Sequence, residues 1–243
     1  MAFLEEEKRE ITQDNCLVRA AYSMPLNSKR LLSLMMSKVN PVAIPTGKPL
    51  EVTITADEWA KYFGELNAYR AFKRAVEDLA TRSLELPPES KADETQANWL
   101  DARSYFHNQG KAKVRFSYTV TLLITDLYEQ FTKYSLFDVI GIKSTHTFRL
   151  YELLKQFSST GVYHTSIKDM RRILNLNDKY PRYTDLKKFV IKKSVSEINR
   201  ETDLLVEVEE FKKGRSVESI RFYFREKKQQ DLLNTSPSLK LKS

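Results

Sequence analysis

The stretch YTDLKKFVIKKSVSEINRE, residues 183–201, runs almost directly into LLVEVEEFKKGRSVESIRFYFR, residues 204–225. The first segment has the period of a helix. Pro181 precedes it, Thr184 is an expected N-cap, and Asp185 places a negative charge in the first turn, where it suits the helix dipole. At 3.6 residues per turn, Leu186, Val190, Ile191, Ser194, Val195 and Ile198 share one side, while Asp185, Lys188, Lys192, Ser196 and Asn199 lie opposite. Lys187 and Lys193 flank the wet face, and Phe189 sits at its edge as either a core or a contact residue. The second segment alternates instead: Leu204, Val206 and Val208 on one strand, Ile220, Phe222 and Phe224 on the other. Between them Lys212-Lys213-Gly214-Arg215-Ser216 forms a turn in which Gly214 supplies positive φ and three cations crowd the tip.

A basic helix alone is most often a solvated face, and a basic hairpin tip alone is an ordinary solubility feature. Placed on adjoining elements, they form a surface suited to a phosphate backbone, and a helix feeding a twisted hairpin is the DNA-reading half of a winged helix. The charge distribution supports that reading. Residues 1–140 hold 18 Lys and Arg against 19 Asp and Glu, whereas residues 141–243 hold 22 against 13, so the whole net charge of +8 comes from the second half. These cations lie on mixed helix and strand elements rather than on one amphipathic helix, so nucleic acid ranks above a membrane surface.

At 243 residues the chain suits two domains of ordinary size. No apolar run is long enough to span a bilayer, and MAFLEEEKRE is no signal peptide, so a soluble, intracellular protein is expected. Cys16 is the one cysteine and reads as packed rather than reactive.

In chain order, residues 1–12 read as a flexible N-terminus. Asn15 is expected to cap a helix through Tyr22, and Ser28 to Val39 is apolar enough to be central to the first core. Residues 50–55 alternate as a strand, Thr55 caps a helix ended by Gly64, and a longer helix covers Ala68 to Arg82. Pro87 and Pro88 open a polar loop. Residues 97–106 and 111–118 read as a hairpin, and 119–130 as helical. Residues 131–144 form an apolar connector that is also compatible with a strand. A helix then starts near Thr145, followed by the strand VYHTS, the helix IKDMRRILNL and the polar turn NDKYPR. Residues 227–243 read as a disordered tail.

Both halves thus repeat helices, strand, short helix, longer helix and hairpin. Tyr69-x-x-Phe72-Lys73-Arg74-x-Val76 matches Tyr183-x-x-Leu186-Lys187-Lys188-x-Val190, and Glu58-Trp59 matches Asp169-Met170 in the preceding short helices. The expected fold is α+β, two tandem winged-helix domains related by an internal duplication, over residues 13–130 and 145–226. The first copy is chemically milder: its longer helix mixes Arg70, Lys73, Arg74 and Arg82 with Glu77 and Asp78, so it is expected to supply fewer phosphate contacts.

The sequence also resembles the replication initiators of theta-replicating, iteron-containing plasmids. The resemblance runs from Asn15-Cys16-Leu17-Val18-Arg19-Ala20-Ala21-Tyr22 and Lys29-Arg30-Leu31-Leu32 through Phe131-Thr132 and Arg149-Leu150-Tyr151-Glu152-Leu153-Leu154. It ends in Asp185-Leu186-Lys187-Lys188, Val195-x-Glu197-Ile198-Asn199 and Lys212-Lys213-Gly214-Arg215. It implies a bacterial, cytoplasmic protein associated with plasmid DNA that binds directly repeated duplex sites as a monomer. It further implies recruitment of the host initiator, helicase and primase, and a homodimer through the first domain that represses its own gene. In similar proteins the second-domain helix enters the major groove. Arg182, Tyr183, Thr184, Lys187 and Lys188 lie at the end of the helix that usually reaches base edges, while Lys192, Lys193, Lys212, Lys213 and Arg215 suit phosphates. Arg70, Lys73 and Arg74 are auxiliary candidates. Several relatives carry Arg where this chain has Lys187, Lys188 or Lys192, and a lysine offers a point charge rather than a bidentate fork.

No catalytic, metal or cofactor site is expected. No glycine sits in a GxxxxGK pattern, His107, His146 and His164 lack metal-ligand spacing, and Tyr183 has no accompanying His-x-His of the kind a nickase needs. A transcriptional repressor with no replication role and a basic protein-interaction scaffold remain the alternatives.

Overall fold

The computed structural model describes residues 9–41, 48–64, 67–87, 94–127, 130–176 and 178–228. Strand β1 (Glu10–Asp14) leads through α1 (Asn15–Arg19) into α2 (Leu26–Met36). β2 (Glu51–Thr55), α3 (Ala56–Phe63), α4 (Ala68–Ala80) and β3 (Ser83–Leu86) follow. β4 (Thr95–Asn98), β5 (Leu100–Phe106), β6 (Lys111–Phe116), α5 (Tyr118–Thr125) and β7 (Phe131–Ser135) complete the first half. The second half contains α6 (Thr145–Lys155), β8 (Val162–Ser166) and α7 (Ile167–Ile173). A long helix comes next, built from α8 (Tyr183–Leu186), a π-helical turn (Lys187–Ile191) and α9 (Lys192–Glu201), and the hairpin β9 (Leu204–Lys213) and β10 (Ser216–Glu226) closes it.

The helix starts follow capping chemistry. Thr55 and Glu58 form a reciprocal capping box on α3, Gly64 ends that helix in the left-handed conformation, and Ser117, Ser144 and Ser166 cap α5, α6 and α7 through their side chains. The sheets carry the duplication: the order β2-β6-β5 in the first half is repeated as β8-β10-β9 in the second. In each, a strand that precedes two helices pairs antiparallel with the last strand of the hairpin that follows them. Two tandem winged helices result.

Several boundaries differ from the sequence reading. β1 starts at Glu10, inside the stretch read as a flexible N-terminus, because Ile11 is fully buried and the strand pairs with β7. The residues read as a connector therefore supply a strand at Phe131–Ser135. Asp14 rather than Asn15 caps α1, accepting from the Cys16 amide, and the helix ends at Arg19 so that Ala21 can bridge Glu85. β3, in the stretch between the expected helix end at Arg82 and the loop opened by Pro87, carries no element in the sequence reading; it pairs with β4. The tail from residue 229 onward, read as disordered, lies outside the described residues.

The buried apolar side chains form one cluster that runs from Ile11 to Phe224 through both halves. A polar network is buried within it. Glu152 of α6, fully buried, accepts hydrogen bonds from Lys29 Nζ (2.8 Å), Gln13 Nε2 (2.9 Å) and the Tyr134 hydroxyl (2.7 Å). Arg149, one turn earlier, donates to the Tyr22 hydroxyl at 2.7 Å, to Glu152 at 3.2 Å and to the carbonyls of Val18 and Ala20 at 2.9 and 2.7 Å. α6 is thus bonded to β1, α1, α2 and β7. No helix among the described residues is long and apolar enough to cross a membrane.

Candidate nucleic-acid interface

The long helix of the second module begins at Tyr183, with Arg182 at the N-cap position, so Thr184 lies exposed in the first turn rather than capping it. Arg182 reaches over to Asp185 at 2.9 Å. Leu186, Val190, Ile191, Ser194 and Ile198 are buried against the module core, and Lys188, Phe189, Lys192, Lys193 and Ser196 are exposed, which matches the sequence periodicity. The π-helical turn accommodates one extra residue. Lys188, Lys192 and Lys193 thereby all fall on the open side while Val190 and Ile191 remain in the core.

The hairpin is fixed to this helix at both ends. Lys187 pairs with Glu210 of β9 at 2.6 Å, each side chain partly shielded. Burial favours a raised pKa for Glu210, but Lys187 and Tyr183 outweigh it and hold the carboxyl below its ordinary value. The Tyr183 hydroxyl lies buried beside Glu210 without a well-formed hydrogen bond, and burial first, that carboxylate second, push its pKa up. One helical side further along, Asn199 Nδ2 donates to the Val206 carbonyl at 3.0 Å and its Oδ1 accepts from the Val206 amide at 2.7 Å. Lys187 and Tyr183, both expected to reach DNA, are therefore engaged with the hairpin. At the tip, Gly214 has φ of 62°, and Lys212, Lys213 and Arg215 are all exposed. Lys213 faces Glu218 at 3.7 Å, but with that lysine 81% exposed the pair contributes little.

Two features of the approach to the helix had no role assigned from sequence. Arg171 of α7 donates to the carbonyls of Lys179 at 3.1 Å and Tyr180 at 2.5 Å, satisfying the turn that delivers the chain to Tyr183. The sequence signal was the polar turn itself, whose carbonyls need donors. Tyr180, at a φ of 56°, stacks against Phe189 with ring centroids 6.1 Å apart, and Lys188 Nζ lies 5.0 Å from the Phe189 ring. Phe189 is 45% exposed, so it is an edge residue of the open face rather than core.

In the first module the equivalent helix, α4, exposes Arg70 and Arg74. Lys73 is drawn to Glu77 at 3.8 Å and over the Tyr105 ring at 5.7 Å. Its hairpin turn, His107–Gln109, is tied to the helix by the Tyr69 hydroxyl at 2.7 Å from His107 Nδ1. The two copies share their geometry and differ in charge. The second presents Lys188, Lys192, Lys193, Lys212, Lys213 and Arg215 on a helix and hairpin braced together, a surface able to neutralise phosphates along a duplex.

Comparison with known proteins places this geometry. Residues 10–155 match the family model described as "Initiator Replication protein, WH1", and residues 166–224 match "Initiator Rep protein, WH2". An uncharacterized 27.6 kDa protein of Escherichia coli is 27% identical over 218 residues, covering 83% of this chain and 90% of that protein. A replication initiation protein of Escherichia coli is 24% identical over 228 residues, covering 90% of this chain and 70% of that protein. A crystal structure of the Pi initiator protein in complex with iteron DNA superimposes with a TM-score of 0.78 at 21% identity, covering 92% of this chain and all of that one. At that identity the likeness establishes the fold.

Proposed function

The chain belongs to the initiator replication protein family, whose members are DNA-binding replication initiators rather than enzymes, and we propose that it starts plasmid replication by binding directly repeated duplex sites. The observation that carries this reading is the row Lys188, Lys192 and Lys193 on the open face of the α8–α9 helix, held beside the basic β9–β10 tip by the Lys187–Glu210 pair. The helix enters the major groove, with Arg182, Thr184, Lys188 and Phe189 at its reading end, and the tip and Lys192 and Lys193 contact phosphates. The similar Pi initiator, seen bound to iteron DNA, supports the choice of repeated sites as target. In the same reading residues 145–226 make the main DNA contact. Residues 13–130 make auxiliary contacts through Arg70 and Arg74 and carry a homodimer that represses the chain's own gene.

The test is a mobility-shift titration on duplexes taken from the DNA flanking the gene. Direct repeats there are expected to be bound in preference to scrambled duplexes. Affinity is expected to fall roughly 10³-fold or more between 50 and 200 mM salt, as for several phosphate contacts. A flat salt response, or an unchanged affinity and sequence preference in Lys188→Ala, overturns the proposal. Sedimentation of the full chain, with variants on each module, tests the dimer.

A further inference from the structure

The buried network around α6 is not electrically balanced. Lys29, Arg149 and Glu152 are 1%, 2% and 0% exposed, so two cations face one carboxylate in the interior. Their remaining partners are hydroxyl and carbonyl oxygens, from Tyr22, Val18 and Ala20. The Tyr22 ring lies under the Arg149 guanidinium at 3.9 Å and softens the excess without cancelling it. Both cations share Glu152 as their carboxylate, which leaves the interior one positive charge in excess. Arg149 Nε, moreover, is buried and has no hydrogen-bond partner.

Arg149 also lines a cleft of about 230 Å³, together with Tyr22, Thr145 and His146 of α6, and Lys179 from the turn before Tyr183. No Asp or Glu is among the lining residues. Thr145 and His146 form the first turn of the eleven-residue α6, whose N-terminal dipole favours an anion. His146 is held neutral, its pKa lowered by burial first and by Lys179 second. The cleft is smaller than the roughly 300–1,000 Å³ sites that hold drug-sized ligands, so its size suits a single ion and its waters rather than a nucleotide.

We propose that this cleft binds a small oxyanion of the phosphate class, held by the first turn of α6 and by Lys179, and serving as the missing counter-charge for Arg149. The ion comes either from solution or from a DNA backbone phosphate lying across the cleft. The phosphate titration is read without DNA, so its failure leaves the DNA-binding reading standing; only the DNA-backbone source rests on that reading.

The experiment follows the imidazole NMR signals of the full chain during titration with inorganic phosphate at constant ionic strength, with His146→Gln identifying the relevant peak. His146 is expected to move along a saturating curve while His107 and His164 stay put. Lys179→Glu, at an exposed position, is expected to abolish the movement in a protein that keeps its folded spectrum. All three signals moving together, no movement, or an undiminished curve in Lys179→Glu overturns the proposal. Repeating the titration with bound duplex identifies the source. If DNA itself moves the His146 signal and phosphate then competes, the ion is a backbone phosphate; an unchanged phosphate curve in the presence of DNA makes it a free ion.

Discussion

Lys29 Nζ and Glu152 Oε1 lie 2.8 Å apart across 123 positions of sequence, both buried. The pair ties α2 to α6, the helix that precedes β8. Burial alone would raise the Glu152 carboxyl, but Lys29 and Arg149 together outweigh it and hold its pKa below the ordinary value. Tyr134, which donates to the same oxygen, has its pKa pushed well up by burial and then by Glu152, so it stays a donor.

Removing Glu152 strands two buried cations. Glu152→Ala is expected to destabilise the fold by about 3–5 kcal/mol. Glu152→Gln, which keeps an acceptor oxygen for Tyr134 and Gln13, is expected to cost less. Urea midpoints of the three proteins check the ranking, and equal stability of Glu152→Ala and the parent would refute the importance of the network.

The same carboxylate gives a pH dependence of defined sign. Its folded pKa lies below its unfolded value, so its contribution is complete above the ordinary value of 4.5 and is lost as pH falls through the folded pKa. The stability gap between the parent and Glu152→Gln is therefore expected to be widest near neutrality and to narrow below about pH 4. Urea titrations across that range measure it; a gap independent of pH would contradict the assignment.

Glu210 restrains Lys187. Glu210→Gln is expected to release that lysine toward DNA, raising affinity for any duplex and steepening the salt dependence by up to about one counterion. Lys187→Met is expected to weaken binding less than Lys188→Ala does. Mobility shifts at several salt concentrations check both.

Two glycines with nearly equal φ are expected to differ in cost. Gly161, at 66°, is so close to the Phe224 carbonyl that an added Cβ would lie 2.7 Å from its oxygen, whereas Gly214, at 62°, has open space around it. Gly214→Ala is expected to cost only the left-handed backbone penalty, about 1–2 kcal/mol. Gly161→Ala adds a backbone clash within the sheet and is expected to lower the melting temperature further. Thermal unfolding of the two variants decides it.

Much of the candidate interface was legible in the chain because local chemistry writes it there. The 3.6 period of residues 183–201 separated Leu186, Val190 and Ile191 from Lys188, Lys192 and Lys193, and the alternation and glycine of residues 204–225 placed the hairpin and its tip. Thr55 and Gly64 bounded α3 by capping alone. The helix start at Tyr183 was missed because Arg182 occupies the cap position without a side-chain bond, leaving no capping residue to read. β1 was missed for a different reason: a five-residue strand of mixed polarity exists only because β7, far along the chain, pairs with it.

The sequence by itself determined two similar modules, their element types, and which of them carries the excess positive charge, since periodicity, caps, turns and composition are properties of neighbouring residues. Tertiary structure alone decided that Lys187 braces the hairpin rather than standing free. It also decided that the Arg149–Glu152 turn lies in the interior against β1, α1, α2 and β7, two cations against one carboxylate. Both depend on contacts between residues far apart in the chain, where burial changes what a charge costs and which partner it must find.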